Sequence, residues 1–108
     1  MTEGRKDDAG KLRYDLIPPD GLAELARVYT AGAANYGERN WETGISYGRC
    51  LAALQRHSWA IQAGEDVDPT DGLLHAAKVA FYGLALAAFQ ARGMTQLDDR
   101  PKIEVRAS

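Results

Sequence analysis

Four carboxylates fall within seven residues of this 108-residue chain, and no basic residue lies between them. They are Glu65, Asp66, Asp68 and Asp71. Carboxylates held this close repel one another, and their ionisation is costly unless a cation compensates the charge. Hard divalent ions with oxygen ligands, Mg²⁺ or Mn²⁺, suit such a cluster. A solvated loop between helices is the simpler alternative, because charged runs usually face water.

The spacing within this acidic connector, residues 65–72, favours Glu65 and Asp68 as metal ligands. A separation of three places two side chains on one face of a helix, although the proline after Asp68 favours a turn there. Glu24 or His75 would supply a further ligand, and for His75 a hydrogen bond to a backbone carbonyl is the alternative. We expect Asp66 to act as a general base beside the metal. The connector is not an EF-hand, because its glycine comes one position late and its twelfth position is alanine.

A second set of residues is basic and could bind phosphate. Arginine forks match phosphate oxygens bidentately, so we expect Arg39 and Arg56 to bind phosphate, together with Lys11 and Arg13 near the N-terminus. Surface salt bridges to nearby glutamates are the alternative, and we favour that alternative for Arg49.

Aromatic and amide side chains follow the first predicted helix and could hold a nucleobase. Tyr36, Asn40 and Trp41 offer stacking and amide hydrogen bonds, although a tryptophan there could equally pack into the core. His57 borders an apolar helix face and is interpreted as a core histidine. Cys50 points into the same face and is predicted to be inert. Walker A, HExxH, zinc-ligand and GxSxG motifs are absent from the sequence.

Apolar periodicity predicts three helices, at about 19–36, 47–63 and 72–92. An extended arm, residues 1–18, precedes them, and a polar tail, residues 93–108, follows. Within the tail, residues 102–106 alternate and could form an edge strand or remain disordered.

Helix-start and helix-stop residues support these boundaries. Pro19 suits the first turn of a helix and Gly37 suits a helix stop. Ser46 is a candidate N-cap for the second helix, and Thr70 or Asp71 for the third.

The third predicted helix is apolar nearly all round, which is typical of a buried helix. Three helices alone would leave one side of it exposed. We therefore predict a helical bundle that is completed by another copy of the chain. Its polar first turns and many alanines argue against a membrane span.

The composition is that of a single globular domain. The chain is 45% hydrophobic and 26% charged, with a net charge of −2, so a broad surface for duplex nucleic acid is not expected. One cysteine and a polar N-terminus without an apolar run favour a cytoplasmic protein.

The order of these features resembles that of the phage dATP/dGTP diphosphohydrolases, a family grouped with the MazG-like all-α nucleotide pyrophosphohydrolases. Over about residues 10–90, the matching strings are GKLRYDLIPPDGLAELARVYTAGAANYGERNWETG and RHSWAIQAGEDVDPTDGLLHAA. The resemblance implies an all-α bundle that forms a dimer or tetramer. It also implies hydrolysis of a purine deoxynucleoside triphosphate (dNTP), dATP or dGTP, to a monophosphate and pyrophosphate with Mg²⁺ or Mn²⁺, in the host cytoplasm if the chain is phage-encoded.

The motifs of the family carry over by position. The basic arm corresponds to Lys11 and Arg13, and the loop motif to Tyr36, Arg39, Asn40 and Trp41. The RH pair corresponds to Arg56 and His57, and the acidic motif to Glu65, Asp66, Asp68 and His75.

The chain also departs from the MazG-like pattern. The second predicted helix has no glutamate in place of the usual EExxE, and the third has His75 and Lys78 where an acidic pair is usual. Relatives prefer histidine and asparagine at the positions of Lys78 and Tyr82. A non-catalytic nucleotide-binding or interaction module is therefore an alternative to the enzyme, and a purely structural helical oligomer is a further one.

Overall fold

The computed structural model describes residues 4–104, and helices build the fold in this range. The α-helices are α1 (Pro19–Tyr36), α2 (Tyr47–Gln62) and α3 (His75–Ala91). Short 3₁₀ turns lie at Tyr14–Leu16, Asn40–Thr43 and Thr95–Leu97. No β-strand forms within the described range, so the predicted all-α class is confirmed.

The predicted bounds of α1 agree with the structure. Pro19 occupies the first turn, where its missing N–H costs nothing, and the Leu22 N–H donates to the Pro18 carbonyl at 2.9 Å. Gly37 ends the helix with a φ of 97°, a conformation that favours glycine. Its N–H donates to the Ala33 carbonyl at 3.0 Å.

The core lies where α2 meets the C-terminal half of α3. Cys50 and Phe89 have no exposed surface, and Tyr47 and Ala85 complete the buried cluster. Partly buried apolar side chains pack around it: Trp41, Ile45, Tyr82, Leu86, Met94 and Leu97. Burial and the negative charge of Asp99 raise the pKa of the Cys50 thiol, which agrees with the predicted inert cysteine.

The predicted start of α3 at residue 72 is wrong, because the connector forms a hydrogen-bonded turn first. The Asp68 N–H donates to the Leu73 carbonyl at 2.8 Å, and the His75 N–H donates to the Asp66 carbonyl at 2.9 Å. The Asp71 carboxylate accepts from the Leu73 N–H at 3.0 Å and does not cap the helix. Leu74 therefore stands at the N-cap position, with extended backbone.

The predicted extended arm is also corrected by the structure. The backbone tightens into a 3₁₀ turn at Tyr14–Leu16, where the Ile17 N–H donates to the Tyr14 carbonyl at 3.1 Å. Residues 102–104 of the tail are not a strand, and residues 105 and 106 lie outside the described range.

A single copy leaves several large apolar side chains exposed. Leu84 of α3 is 49% exposed and Trp59 of α2 is 71% exposed, and the arm exposes further apolar side chains. This surface is what the predicted oligomer would cover. Within residues 4–104, no helix has both the length and the hydropathy needed to cross a bilayer.

We predict that the Leu84→Lys substitution dissociates an oligomer of this chain. Burying a leucine contributes roughly 1.5–3 kcal/mol per side chain, and a charge placed there would oppose assembly. Light scattering after size exclusion should give the mass of two or four copies for the wild type and of one copy for the variant. Gln90→Lys, at an exposed polar position of the same helix, is the control. A wild type with the mass of a single chain would contradict the prediction.

Candidate functional site

An open groove of about 880 Å³ lies between the C-terminal half of α1, the loop that follows it, and α2. Its volume is within the range of small-molecule sites, roughly 300–1,000 Å³. The groove brings together most of the predicted phosphate- and base-binding residues: Tyr36, Arg39, Asn40, Trp41 and Arg56. The acidic connector does not line it.

Two arginines of α2 give the groove a positive wall. Arg49 and Arg56 are seven residues apart and therefore lie on one face of the helix, and both line the groove. Ala53 lies between them at the base of the groove, where its small side chain takes up little space. Within residues 4–104, neither guanidinium forms an ion pair. The expected salt bridge of Arg49 is therefore not formed in that range, and Arg49 joins Arg56 as a candidate anion ligand.

Arg39 is held differently, by a carboxylate outside the groove lining. Its guanidinium donates twice to Glu42, at 2.8 and 3.0 Å, and Arg92 donates to the same carboxylate at 3.2 Å. The hydrogen bonds from Arg39, with the weaker one from Arg92, lower the pKa of Glu42 to about 2. Arg39 would have to exchange this partner to bind a phosphate.

Trp41 packs into the core and also lines the groove. Its ring lies 6.2 Å from that of Tyr29 and 6.0 Å from that of Phe89, and the Arg92 guanidinium lies 5.2 Å from it. The core alternative for this tryptophan is thus supported, and what remains exposed forms part of the groove surface. Tyr36 is 74% exposed at the rim.

The acidic connector holds a cation from its own chain. The Lys78 ammonium lies 2.6 Å from a carboxylate oxygen of Asp68 and 2.6 Å from one of Asp71. The side chains of Lys78 and Asp68 are each only 12% exposed. The other oxygen of Asp68 accepts from the N–H and the hydroxyl of Thr70, at 3.0 and 2.8 Å. The Lys78 hydrogen bond, followed by those from Thr70, holds the pKa of Asp68 well below its ordinary value.

A chain of two histidines lies beside this cluster. The Nδ1 atoms of His57 and His75 are 2.9 Å apart, and Nε2 of His75 lies 2.7 Å from Oε1 of Glu65. A carboxylate only accepts, so with neutral rings His75 donates to Glu65 and His57 donates to His75. Burial, followed by the nearby Lys78 charge, lowers the pKa of His57 and favours its neutral form. The His57 ring is nearly parallel to that of Tyr82, which lines the groove, with 6.3 Å between their centres.

Within residues 4–104, the four predicted metal ligands, Glu24, Glu65, Asp68 and His75, do not form a single site lined by free carboxylate oxygens. Asp68 already binds Lys78, and both ring nitrogens of His75 are engaged. The Glu24 carboxylate lies 3.6 Å from the Arg27 guanidinium on α1. Glu65 and Asp66 are the connector carboxylates that keep an oxygen clear of hydrogen bonds within residues 4–104.

The two basic residues of the arm are not part of the groove lining either. Arg13 donates twice to Asp15, at 2.8 Å each, and Lys11 is exposed. Their predicted contact with phosphate remains a prediction.

Sequence reasoning missed two residues that organise the site. The first is Arg49, and its seven-residue spacing from Arg56, which places both on one helix face, was the available signal. The second is Lys78, and the available signal was a cation one turn into an apolar helix that follows four carboxylates.

We predict that the Glu42 carboxyl titrates near pH 2 in the folded protein, because two guanidinium groups favour its ionised form. A depressed pKa means that this stabilisation is present above the ordinary carboxyl value and is lost as the pH falls toward 2. Carbon-detected NMR titration of the side chain measures the midpoint. Arg39→Ala should raise it toward the ordinary value, whereas Arg49→Ala should leave it unchanged. A midpoint at the ordinary value in the wild type would show that the pair does not form.

Comparisons with known proteins agree with the resemblance seen in the sequence. A curated protein named dATP/dGTP diphosphohydrolase, from Salmonella phage PMBT28, is 37% identical over 97 residues, which are 90% of this chain and 33% of that protein. The chain therefore spans about a third of the length of the curated relative that it matches. No solved structure matches the chain. A family model described as dATP/dGTP diphosphohydrolase, N-terminal, matches residues 1–100, which include the groove and the connector, and the chain thus belongs to this family.

Proposed function

We propose that this chain binds a purine dNTP in the groove and hydrolyses it to a deoxynucleoside monophosphate and pyrophosphate. The observation that supports this most strongly is the groove itself. It places the guanidinium groups of Arg49 and Arg56, which form no ion pair with residues 4–104, on the same surface as Asn40 and Trp41. The relative named dATP/dGTP diphosphohydrolase supports the choice of substrate.

The triphosphate would lie along α2. Two guanidinium groups about two helical turns apart match an extended anion better than a single phosphate, since a turn rises about 5.4 Å. Each arginine can donate two parallel hydrogen bonds to phosphate oxygens. In this arrangement the two arginines also stabilise the charge that builds up on the departing pyrophosphate.

The base would lie toward the loop that contains Asn40 and Trp41. The side-chain amide of Asn40 can both donate and accept, so it can pair with the edge of either adenine or guanine. Tyr36, exposed at the rim, offers a ring for stacking. This surface is suited to the two-ring system of a purine and does not itself choose between dATP and dGTP.

The chemistry requires a water molecule to attack the α-phosphorus while the bond to the bridging oxygen of the pyrophosphate breaks. The proton of the water would pass to a carboxylate, for which we propose Asp66, with Glu65 as its neighbour. Neither residue lines the groove, so the bound triphosphate would have to extend beyond the groove toward the connector. The substrate would arrive as its Mg²⁺ or Mn²⁺ complex, since Mg²⁺ is commonly bound through substrate phosphates and one or two carboxylates. Glu65 and Asp66 retain the oxygens that such an ion would need.

A nucleotide-binding module without turnover is the second candidate. It is favoured by the Lys78 ammonium, which already neutralises Asp68 and Asp71. Fewer carboxylates are then available for catalysis than the acidic connector suggests. The two candidates share the groove and differ in whether product forms.

The test is product analysis of each dNTP incubated with the protein and Mg²⁺ or Mn²⁺. We expect deoxynucleoside monophosphate and pyrophosphate from dGTP or dATP, and loss of product when the metal is chelated. Arg56→Ala should lower kcat/KM by about 10²–10³-fold, which is typical of removing a donor to a developing negative charge. Arg56→Lys should restore only part of it, because the fork is lost.

Three further variants serve as controls. Arg27→Ala removes an arginine that pairs with Glu24 and does not line the groove, so kcat/KM should stay within about twofold. Asp66→Asn and Glu65→Gln should lower kcat with little change in KM. Normal rates in both would contradict the roles proposed for the connector. Tight dNTP binding without product under all metal conditions would establish the binding module instead.

A further inference from the structure

Three side chains beside the groove form a set of donors that would suit a transition metal. One donor atom each of His57, Asp68 and His75 lies within 4.8 Å of the donors of the other two. Asp68 and His75 are buried and His57 is half-buried. Two imidazoles with one carboxylate are typical ligands of Zn²⁺ or Fe²⁺ and differ from the oxygen-rich sets of Mg²⁺.

The surroundings of His75 strengthen this comparison. Its Nε2 lies 2.7 Å from the Glu65 carboxylate, while its Nδ1 faces His57. A carboxylate on the outer nitrogen of a histidine is the usual support of a metal-bound imidazole, because it orients the ring and raises its basicity. The cluster thus has both a set of three donors and an outer partner.

A cation of the chain itself is bound to one member of this cluster, Asp68. The Lys78 ammonium donates hydrogen bonds to the carboxylates of Asp68 and Asp71, at 2.6 Å each. Its charge also lies close enough to His57 to lower the pKa of that ring. Burial alone would lower the pKa of Lys78, but the hydrogen bonds that its ammonium donates to the two aspartates outweigh burial and raise this pKa, so the ammonium remains charged. A divalent ion would have to take Asp68 from this ammonium and then lie beside its positive charge.

We infer that Lys78 is a built-in replacement for a metal ion: its ammonium fills the cation position of the His57–Asp68–His75 cluster and excludes a divalent metal from it. Removing the ammonium would open a site for a Zn²⁺-class ion. This inference concerns the His57–Asp68–His75 cluster and Lys78, and it does not depend on the roles proposed for Arg49, Arg56, Glu65 and Asp66 in nucleotide hydrolysis.

The test is titration of the chelator-treated full chain with Co²⁺, whose visible absorption reports coordination by imidazole. We expect no saturable band in the wild type. Lys78→Ala, which frees Asp68 and its space, should give a saturable band with an affinity at least about 100-fold above that of the wild type, a span comparable to the strongest outer-ligand effects. The double variant Lys78→Ala/His57→Ala should lose the band. Lys102→Ala makes the same change of charge at an exposed position outside the cluster and should behave as the wild type.

Lys78→Met keeps most of the side-chain volume and serves where the alanine variant is poorly folded, as judged by circular dichroism. The wild type supplies an independent readout, because its thermal unfolding should not change between Zn²⁺ and chelator. A wild-type Co²⁺ band that disappears in His57→Ala would overturn the inference. Folded Lys78 variants that bind no more Co²⁺ than the wild type would overturn it as well, because the lysine would then not be what excludes the metal.

Discussion

Lys78 carries a positive charge into the junction between α2 and α3, and Asp68 and Asp71 neutralise it there. The side chains of Lys78 and Asp68 are largely buried, so leaving either without its partner would be unfavourable, and the cluster therefore constrains the path of the connector. Asp68 also binds the turn through Thr70, so one carboxylate joins the start of α3 to the turn that precedes it. The His75 N–H donates to the Asp66 carbonyl in this turn, and Nδ1 of His75 lies 2.9 Å from that of His57 on α2.

The groove and the acidic connector therefore both lie against α2, but no residue of the connector lines the groove. Arg56 faces the groove, and the next residue, His57, faces the connector. The ring of Tyr82 lies between the two regions, lining one and stacking on the histidine of the other. This division separates the positive wall from the carboxylates, so the guanidinium groups of Arg49 and Arg56 remain free of ion pairs with them within the described residues. A ligand with several negative charges is what such a wall can bind.

The sequence predicted those features that depend on local stereochemistry. The bounds of α1 followed from Pro19 and Gly37, because a proline suits a first turn and a glycine allows the positive φ after the last one. The start of α3 did not follow, because Asp71 accepts a hydrogen bond from the turn and binds Lys78, which is seven residues further along the chain. A candidate capping residue can be recognised by its type. Whether its carboxylate caps the helix or binds a distant ammonium group depends on tertiary structure.

The candidate site shows the same division. Tyr36, Asn40 and Trp41 line one groove, as residues that lie close together in the sequence at the end of one helix can, while their contact with a base stays a prediction. The sequence favoured phosphate binding for Arg39 and a surface salt bridge for Arg49. In the described residues the salt bridge forms at Arg39 and not at Arg49. Both arginines lie within seven residues of Glu42 in the sequence. Arg39, three residues before Glu42, has a left-handed backbone with a φ of 58°, and its guanidinium group contacts the Glu42 carboxylate.

The central claim is that the groove between α1 and α2 binds the nucleotide while the connector remains closed on its own lysine. Chemical-shift mapping with a non-hydrolysable dGTP analogue and Mg²⁺ tests it most directly, with side-chain signals of arginine and tryptophan recorded beside the backbone. We expect the largest changes at Arg49, Arg56 and the Trp41 indole, and smaller ones at Thr70 and Asp71. Changes centred on the connector, with the arginine side chains of α2 unaffected, would contradict the account.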